Sequence, residues 1–325
     1  MRFNRLDLNQ LVVLDALLKE RSVSRAAERV FLSQPAASCA LGRLREYFGD
    51  DLLVQVGKSM VLTPAAEAMI VPVRDVLMQI HAITAIRPGL DLRTVSRKLK
   101  IEASDYVLNV LLADVLKRCA EVAPHLEFDL QLVGMYSSER LERGESELLI
   151  APDFALSANH PSKLLFQDSF SVLVWAGNPD IGEQITKEQF FSMGHVAPEW
   201  GGGRLLSVED ELFARQGHHR RHEVVVPSFT LIPQFVVGTR RIATLQTRLA
   251  HKVALTGPLR VIPCPVEGPV VRETVQWHRS LERDPIISWF RGLIQDTASQ
   301  LPLFEPQPEP ASASGPGARM AATKG

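Results

Sequence analysis

The chain has 325 residues, 46% of them hydrophobic, and a formal net charge of −1. That length suggests two or three domains with packed cores, and the near-neutral balance excludes a bulk polycation that coats nucleic acid by charge alone. Three widely spaced cysteines, Cys39, Cys119 and Cys264, form no CxxC pair and suggest no disulfide framework. Without a basic-then-apolar leader or a window long enough to span a membrane, the expectation is a soluble cytoplasmic protein with no membrane partner.

The charge is uneven. Residues 1–100 carry 15 Lys+Arg against 10 Asp+Glu, whereas the remainder carries 21 against 27. A mildly basic front on an acidic rear suits a small DNA-binding module attached to a larger body. Asp7 opens a first helix whose apolar face is Leu8, Leu11, Val12, Leu14 and Leu18. Ser22 then caps a short helix with Val23, Ala26, Ala27 and Val30 on one side. After the turn Phe31-Leu32-Ser33, Ala37, Leu41, Leu44 and Phe48 recur at helical spacing. Ser33 is a preferred N-cap, and Pro35 is tolerated in the first turn, where backbone N–H groups lack intrahelical partners. The other faces of this helix carry Gln34, Pro35, Ser38, Cys39, Gly42 and Arg43. Small residues let a helix approach a major groove, and Gln and Ser reach base edges, so the pair reads as a helix-turn-helix. Gly49 ends the helix. Leu52–Val56 and Ser59–Leu62 flank Gly57-Lys58 as a wing, with Lys58 at its tip facing phosphate or the minor groove.

Thr63-Pro64 starts a longer helix with the apolar stripe Met69, Val73, Val76, Leu77 and Ile80, continued by Ile83. Pro72 falls inside the stripe and predicts a kink. A stripe without a neighbour in the chain predicts a second copy as partner, hence a dimer, with packing on the chain's own rear half as the alternative. Residues 87–97 read as a hinge. From Lys98 the pattern becomes alternating strands and helices, which predicts an α/β body with a largely parallel sheet in two lobes. Leu164 to Trp175 reads as one long strand, and Pro285 to Thr297 as the closing helix. From Leu301 the chain is rich in Pro, Ala, Ser and Gly, a composition expected to be disordered.

The run LDLNQLVVLDALLKERSVSRAAERVFLSQPAASCALGRLREYFGDDLLV, with the wing and LTPAAEAM after it, resembles the LysR-type transcriptional regulators. MRFNRLDLNQLVVLDAL and VVVPSFTLIPQFVVGTRRIATLQTRLA look most like the nodulation-regulator branch, related to regulators of aromatic degradation. The resemblance implies a winged helix-turn-helix over residues 1–63, a dimerising linker helix over 64–86, the hinge at 87–97, a periplasmic-binding-protein-like effector domain over 98–300 and a tail over 301–325. It further implies a homodimer or homotetramer on promoter DNA. Such a protein activates an operon when a small aromatic or phenolic effector binds, with RNA polymerase as a further partner. Positions matching the family's DNA contacts are Ser33, Gln34, Pro35, Ser38 and Arg43, with Lys58 on the wing. Gln55 departs from the pattern, since many members carry arginine there.

In a two-lobed α/β domain a ligand lies between the lobes, near strand C-termini and helix N-termini. Ser104 and Asp105 follow the first strand of the body, and Ser228 and Thr230 open another helix, where free N–H groups favour an anion. Phe154, His195, Trp200 and Phe229 lie at element ends that would supply aromatic walls. Each also has a simpler place, the serines as caps and the aromatics as core. Flavonoid-like, salicylate-like and chlorinated phenolic effectors all remain open. An enzyme is not expected, because the body lacks GxGxxG, P-loop, nucleophile-elbow and HExxH patterns. His218, His219 and His222 beside Arg220-Arg221 read as a solvated basic patch rather than a metal site, and no cofactor is expected.

Overall fold

A computed structural model describes residues 6–57, 59–85, 91–199, 208–215, 217–266 and 268–302. Lys58, Trp200, Gly201–Gly203, part of the hinge and the tail beyond residue 302 lie outside these.

The head begins with α1 (Leu8–Glu20), α2 (Val23–Arg29) and α3 (Gln34–Phe48). Each start is fixed by a side chain. Asp7, Ser22 and Ser33 accept the N–H groups of Asn9, Arg25 and Ala36, which would otherwise lack partners. Gly49 ends α3 at φ +65°, a conformation that costs glycine little. Leu14, Leu17, Ala26, Leu41 and Leu44 close the core between the three helices. Strands β1 (Leu53–Val56) and β2 (Ser59–Leu62) form the antiparallel wing. The Thr63 hydroxyl caps α4 (Pro64–Ala85) by accepting the Ala66 N–H. Helix α4 continues across Pro72, so the proline does not end it. Its Val73 and Leu77 are buried in the head's own core, while Val76 and Ile83 remain exposed.

The body has two five-stranded sheets. Lobe one contains β3 (Arg97–Ala103), β4 (Leu126–Leu132), β5 (Leu148–Pro152), β6 (Ser162–Asp168) and, from later in the chain, β12 (Val271–Trp277), in the order β4-β3-β5-β12-β6. Lobe two contains β7 (Phe170–Trp175), β8 (Gly194–Pro198), β9 (Arg221–Val226), β10 (Ile242–Gln246) and β11 (Leu259–Pro263), in the order β11-β7-β10-β8-β9. Helices α5 (Asp105–Val107), α6 (Ala113–Val122), α7 (Ser137–Glu142) and α12 (Pro285–Ser299) belong to lobe one, with a π turn at Leu108–Leu112 joining α5 to α6. Helices α8 (Lys187–Ser192), α9 (Val208–Arg215), α10 (Ile232–Val236) and α11 (Thr247–Ala254) belong to lobe two.

Two expectations need correction. The sheets are mixed rather than largely parallel. β3 pairs parallel with β4 and β5, but β12 runs antiparallel to β5 and β6. Likewise β8 is parallel to β9 and β10, while β7 is antiparallel to β10 and β11. The reason is the path of the chain, which leaves lobe one between β6 and β7 and returns between β11 and β12. The single strand expected at Leu164–Trp175 is therefore two, divided at Ser169 between the two sheets. One hydrophobic cluster includes Ile101, Tyr106 and Leu111 of lobe one with Leu173, Leu245 and Leu249 of lobe two, so the lobes share a core.

Candidate DNA interface and effector cleft

The recognition face is built by α3. Ala37, Ala40, Leu41 and Leu44 are buried, which turns Ser33, Gln34, Pro35, Ser38 and Arg43 outward, all of them exposed. Ser33 spends its hydroxyl on the cap, 3.3 Å from the Ala36 nitrogen, while the exposed side chains of Gln34 and Ser38 make no hydrogen bond among the described residues. Arg43 lies against Cys39, its Nη1 3.1 Å from Sγ. On the wing, Gln55 donates to the Gly57 carbonyl at 3.2 Å and so stiffens the turn itself. A helix N-terminus, small residues and one guanidinium on a convex face suit phosphates and base edges.

The candidate effector site expected between the lobes draws on distant parts of the chain. Ala103 of β3 pairs with Ile150 of β5, so Ser104-Asp105 and the turn Asp153–Ala155 leave the same end of the first sheet. Val226 of β9 pairs with Pro198 of β8, so Ser228–Thr230 leave the facing end of the second. The two ends meet. Asp105 Oδ2 accepts the Thr230 N–H at 2.9 Å and its hydroxyl at 3.0 Å, a bond pair running from lobe one to lobe two. The anion expected at this helix start is thus the protein's own carboxylate. Ser104 Oγ accepts the Val107 N–H at 3.2 Å, a capping role, and Ser228 Oγ lies 3.3 Å from Thr230 Oγ1.

The aromatics divide. Phe154 is 59% exposed beside the cleft end of β5. Phe229 turns into the shared core instead of facing a ligand space. His195 is the clear correction. It lies toward the end of β8 away from lobe one, fully buried, with Nε2 2.7 Å from the Phe190 carbonyl and its ring edge-on to Phe190. Burial drives its pKa down to about 3, so it is a neutral core residue. The local pattern at His195 could not show this, because Phe190 reaches it through the fold of α8.

Sequence reasoning missed the joint beneath the cleft. Asp168, at the first crossing between lobes, accepts the Tyr106 hydroxyl at 2.5 Å and the Arg248 N–H at 3.2 Å, with Arg248 Nη1 3.1 Å from its other oxygen. Burial raises the Asp168 pKa against the opposing pull of Tyr106 and Arg248. Next to it, Glu273 of β12 is 2% exposed, and its Oε2 has no hydrogen-bond partner among the described residues. Burial, with Asp168 and Asp153 adding repulsion, pushes its pKa up to about 8, so it carries a proton at neutral pH. The only sequence signal was Asp168-Ser169 interrupting an apolar strand.

Among the described residues, no group of three or more His, Cys, Asp or Glu is arranged to hold a metal ion. His222 lies 3.3 Å from Asp210, and His218 stacks on Phe191 at 4.6 Å. No helix among the described residues is long and apolar enough to cross a membrane.

Comparison with known proteins agrees with this architecture. Residues 8–67 match the bacterial regulatory helix-turn-helix protein, lysR family, and residues 93–299 match the LysR substrate binding domain. The chain is 40% identical to nodulation protein D 1 of Neorhizobium galegae over 301 residues, covering 93% of this chain and 97% of that one. It is equally 40% identical to nodulation protein D 1 of Rhizobium meliloti (strain 1021), covering 93% and 98%. In fold it is similar to a full-length OxyR variant from Pseudomonas aeruginosa, with a TM-score of 0.70 at 22% identity over 93% of this chain and 98% of that one. ArgP from Mycobacterium tuberculosis gives a TM-score of 0.70 at 16% identity, over 91% and 98%. Family models that together span most of the chain, and relatives 40% identical along nearly their whole length, show that the chain belongs to the LysR family of DNA-binding transcriptional regulators.

Proposed function

We propose that this regulator activates a promoter when a small aromatic or phenolic molecule is held between its two lobes, and that it acts as a homodimer or homotetramer. The observation carrying the DNA half is the division of α3 into a buried apolar side and an exposed side bearing Gln34, Pro35, Ser38 and Arg43. In this reading Gln34, Pro35 and Ser38 meet base edges, while Ser33, Arg43 and the wing's Lys58 meet phosphate or the minor groove. Exposed Val76 and Ile83 lie seven residues apart on α4, which supports a partner helix along that face.

For the effector, the cross-lobe bond from Asp105 to Thr230 carries the reading, with Ser104, Ser228 and Phe154 around it and Trp200 two residues past β8 in the sequence. Any ligand entering there changes one of the contacts that tie the lobes together. Because a carboxylate already holds the Thr230 N–H, a neutral hydroxylated molecule that donates to Asp105 suits the site better than an anion does. Contact with RNA polymerase follows from activation and belongs to the same proposal.

The test of the DNA half is selection of bound genomic fragments, then titration of the best fragment with wild type and Gln34→Ala. Specific binding should weaken by about 1–3 kcal/mol, with binding to random DNA nearly unchanged. Equal loss on both would remove Gln34 from base reading. The effector half is tested with a panel of neutral and anionic phenolics on the same promoter. A Thr230→Val variant that responds like wild type to every active compound would refute the cleft assignment.

A further inference from the structure

Helix α4 belongs to two cores at once. Val73 and Leu77 are buried with the head, whereas Met78, one residue on, is buried with the body. The ground on which Met78 rests is specific. A Cβ placed on Gly144, in the turn after α7, would stand 2.5 Å from Met78 Sδ and 2.7 Å from Arg74 Cγ. A side chain there would have to displace those of Met78 and Arg74, and the turn's φ of +61° itself favours glycine.

Beside this seat Asp75 projects into the body. Its Oδ2 lies 3.1 Å from Arg279 Nη2, and Oδ1 accepts the Ser280 hydroxyl at 3.5 Å. Oδ1 also lies 3.1 Å from His278 Nε2, close enough for an ion pair though off the line of a hydrogen bond. The receiving turn is rigid. His278 Nδ1 accepts the Ser280 N–H at 3.2 Å, His160 Nδ1 accepts the Arg279 N–H at 3.3 Å, and the two rings lie 4.7 Å apart. Glu142 stands 2.8 Å from His160 Nε2 on the far side. Since each Nδ1 takes a backbone proton, each neutral ring carries its own hydrogen on Nε2, facing a carboxylate. That tautomer leaves no lone pair at Nε2 for a metal ion, so the cluster is not a metal site. Burial lowers both histidines, Asp75 and Glu142 notwithstanding, which leaves Arg279 as the charged partner of Asp75.

The turn that receives Asp75 continues directly from β12. The start of that strand holds Glu273, against the inter-lobe joint, and its end is Trp277. A seven-residue strand spans about 20 Å and is stiff along its length. We propose that Asp75 latches the linker helix onto the chain's own effector domain at His278, Arg279 and Ser280, over the Gly144 seat. β12 then transmits lobe movement to this latch, which sets the angle at which the head is carried. The proposal rests on the fold and the latch contacts, and stands whatever the effector proves to be.

The test uses the full chain in a Cys39→Ser background, because Cys39 is the exposed native thiol. With Asp75→Cys and Ser280→Cys together, mild oxidation should give mainly an intrachain disulfide, read by mass spectrometry of the peptides. A disulfide formed only between chains places the helix on a partner's effector domain and overturns the latch in cis; absence of any disulfide at the paired thiols overturns it outright. In a second arm, Asp75→Lys should alter the bend of a bound promoter fragment, read by circularly permuted gel shift, and the double variant Asp75→Lys/Arg279→Glu should restore it. An unchanged bend with Asp75→Lys overturns the role in setting the head's angle.

Discussion

The head and the body dispose of polar residues in opposite ways. The head turns Gln34, Ser38 and Arg43 outward and fills its core with Leu and Ala. The body takes polar groups inside. Asp168, Glu273, Gln276, His195 and His278 are each 5% exposed or less, and most are tied to another element. The difference follows from what each must recognise. A groove-reading surface meets its partner on the outside and needs side chains free of internal obligations. A two-lobed body that answers an effector, as proposed, has to hold a defined arrangement and be able to leave it, and buried polar contacts are the kind that have discrete alternatives.

The contrast breaks most readily at the joint. Asp168→Ala strands the Tyr106 hydroxyl and removes the carboxylate from a buried guanidinium, so urea unfolding should show a loss of about 3–5 kcal/mol. A loss below about 1 kcal/mol would mean that the body's buried polar groups are no more consequential than surface ones.

Glu273→Gln should act in the other direction. The folded protein holds this proton up to about pH 8 while an unfolded chain releases it near 4.5, so the stability linked to it is present below pH 4.5 and falls as pH rises from there to 8. The glutamine variant removes a cost of about 3 kcal/mol at neutral pH and flattens that limb of a stability-against-pH curve. His195 has the opposite slope. An unfolded chain protonates it below about 6.5, the folded protein only near 3, so its contribution is intact above 6.5 and drains away as pH falls. At pH 5 the loss is about 2 kcal/mol, and a His195→Phe variant should lack that acid limb in thermal melts. The smallest effect belongs to the head. Gln34→Ala and Ser38→Ala should stay within about 0.5 kcal/mol of wild type in stability, although Gln34→Ala is expected to impair site recognition.

Much of the head was legible because its determinants are local. Ser22, Ser33, Thr63 and Gly49 each act within four residues of their own position, and the apolar spacing of α1 and α3 needs no distant partner to be read. The body's α/β grammar was legible for the same reason. What stayed hidden depends on residues far apart in sequence. Tyr106, Asp168 and Arg248 come together only after the chain has crossed between lobes, and nothing in their spacing marks them. The break at Ser169 escaped because both halves of the strand remain extended and apolar when it changes sheet. Helix α4 gave half an answer: its stripe was clear, yet Val73 and Leu77 are covered by the chain itself, and Val76 and Ile83 stay exposed for the partner helix proposed above.

The two crossings, one at Ser169 and the other between β11 and β12, have a mechanical consequence. Phe170, just past the first crossing, lies beside Gly268 in the second, and two tethers placed together resist torsion of one lobe against the other more than they resist a swing about the line joining them. On the proposed reading, a small molecule held between the lobes would fix the opening angle, and the shapes offered to a promoter would form a one-parameter series rather than a diffuse set.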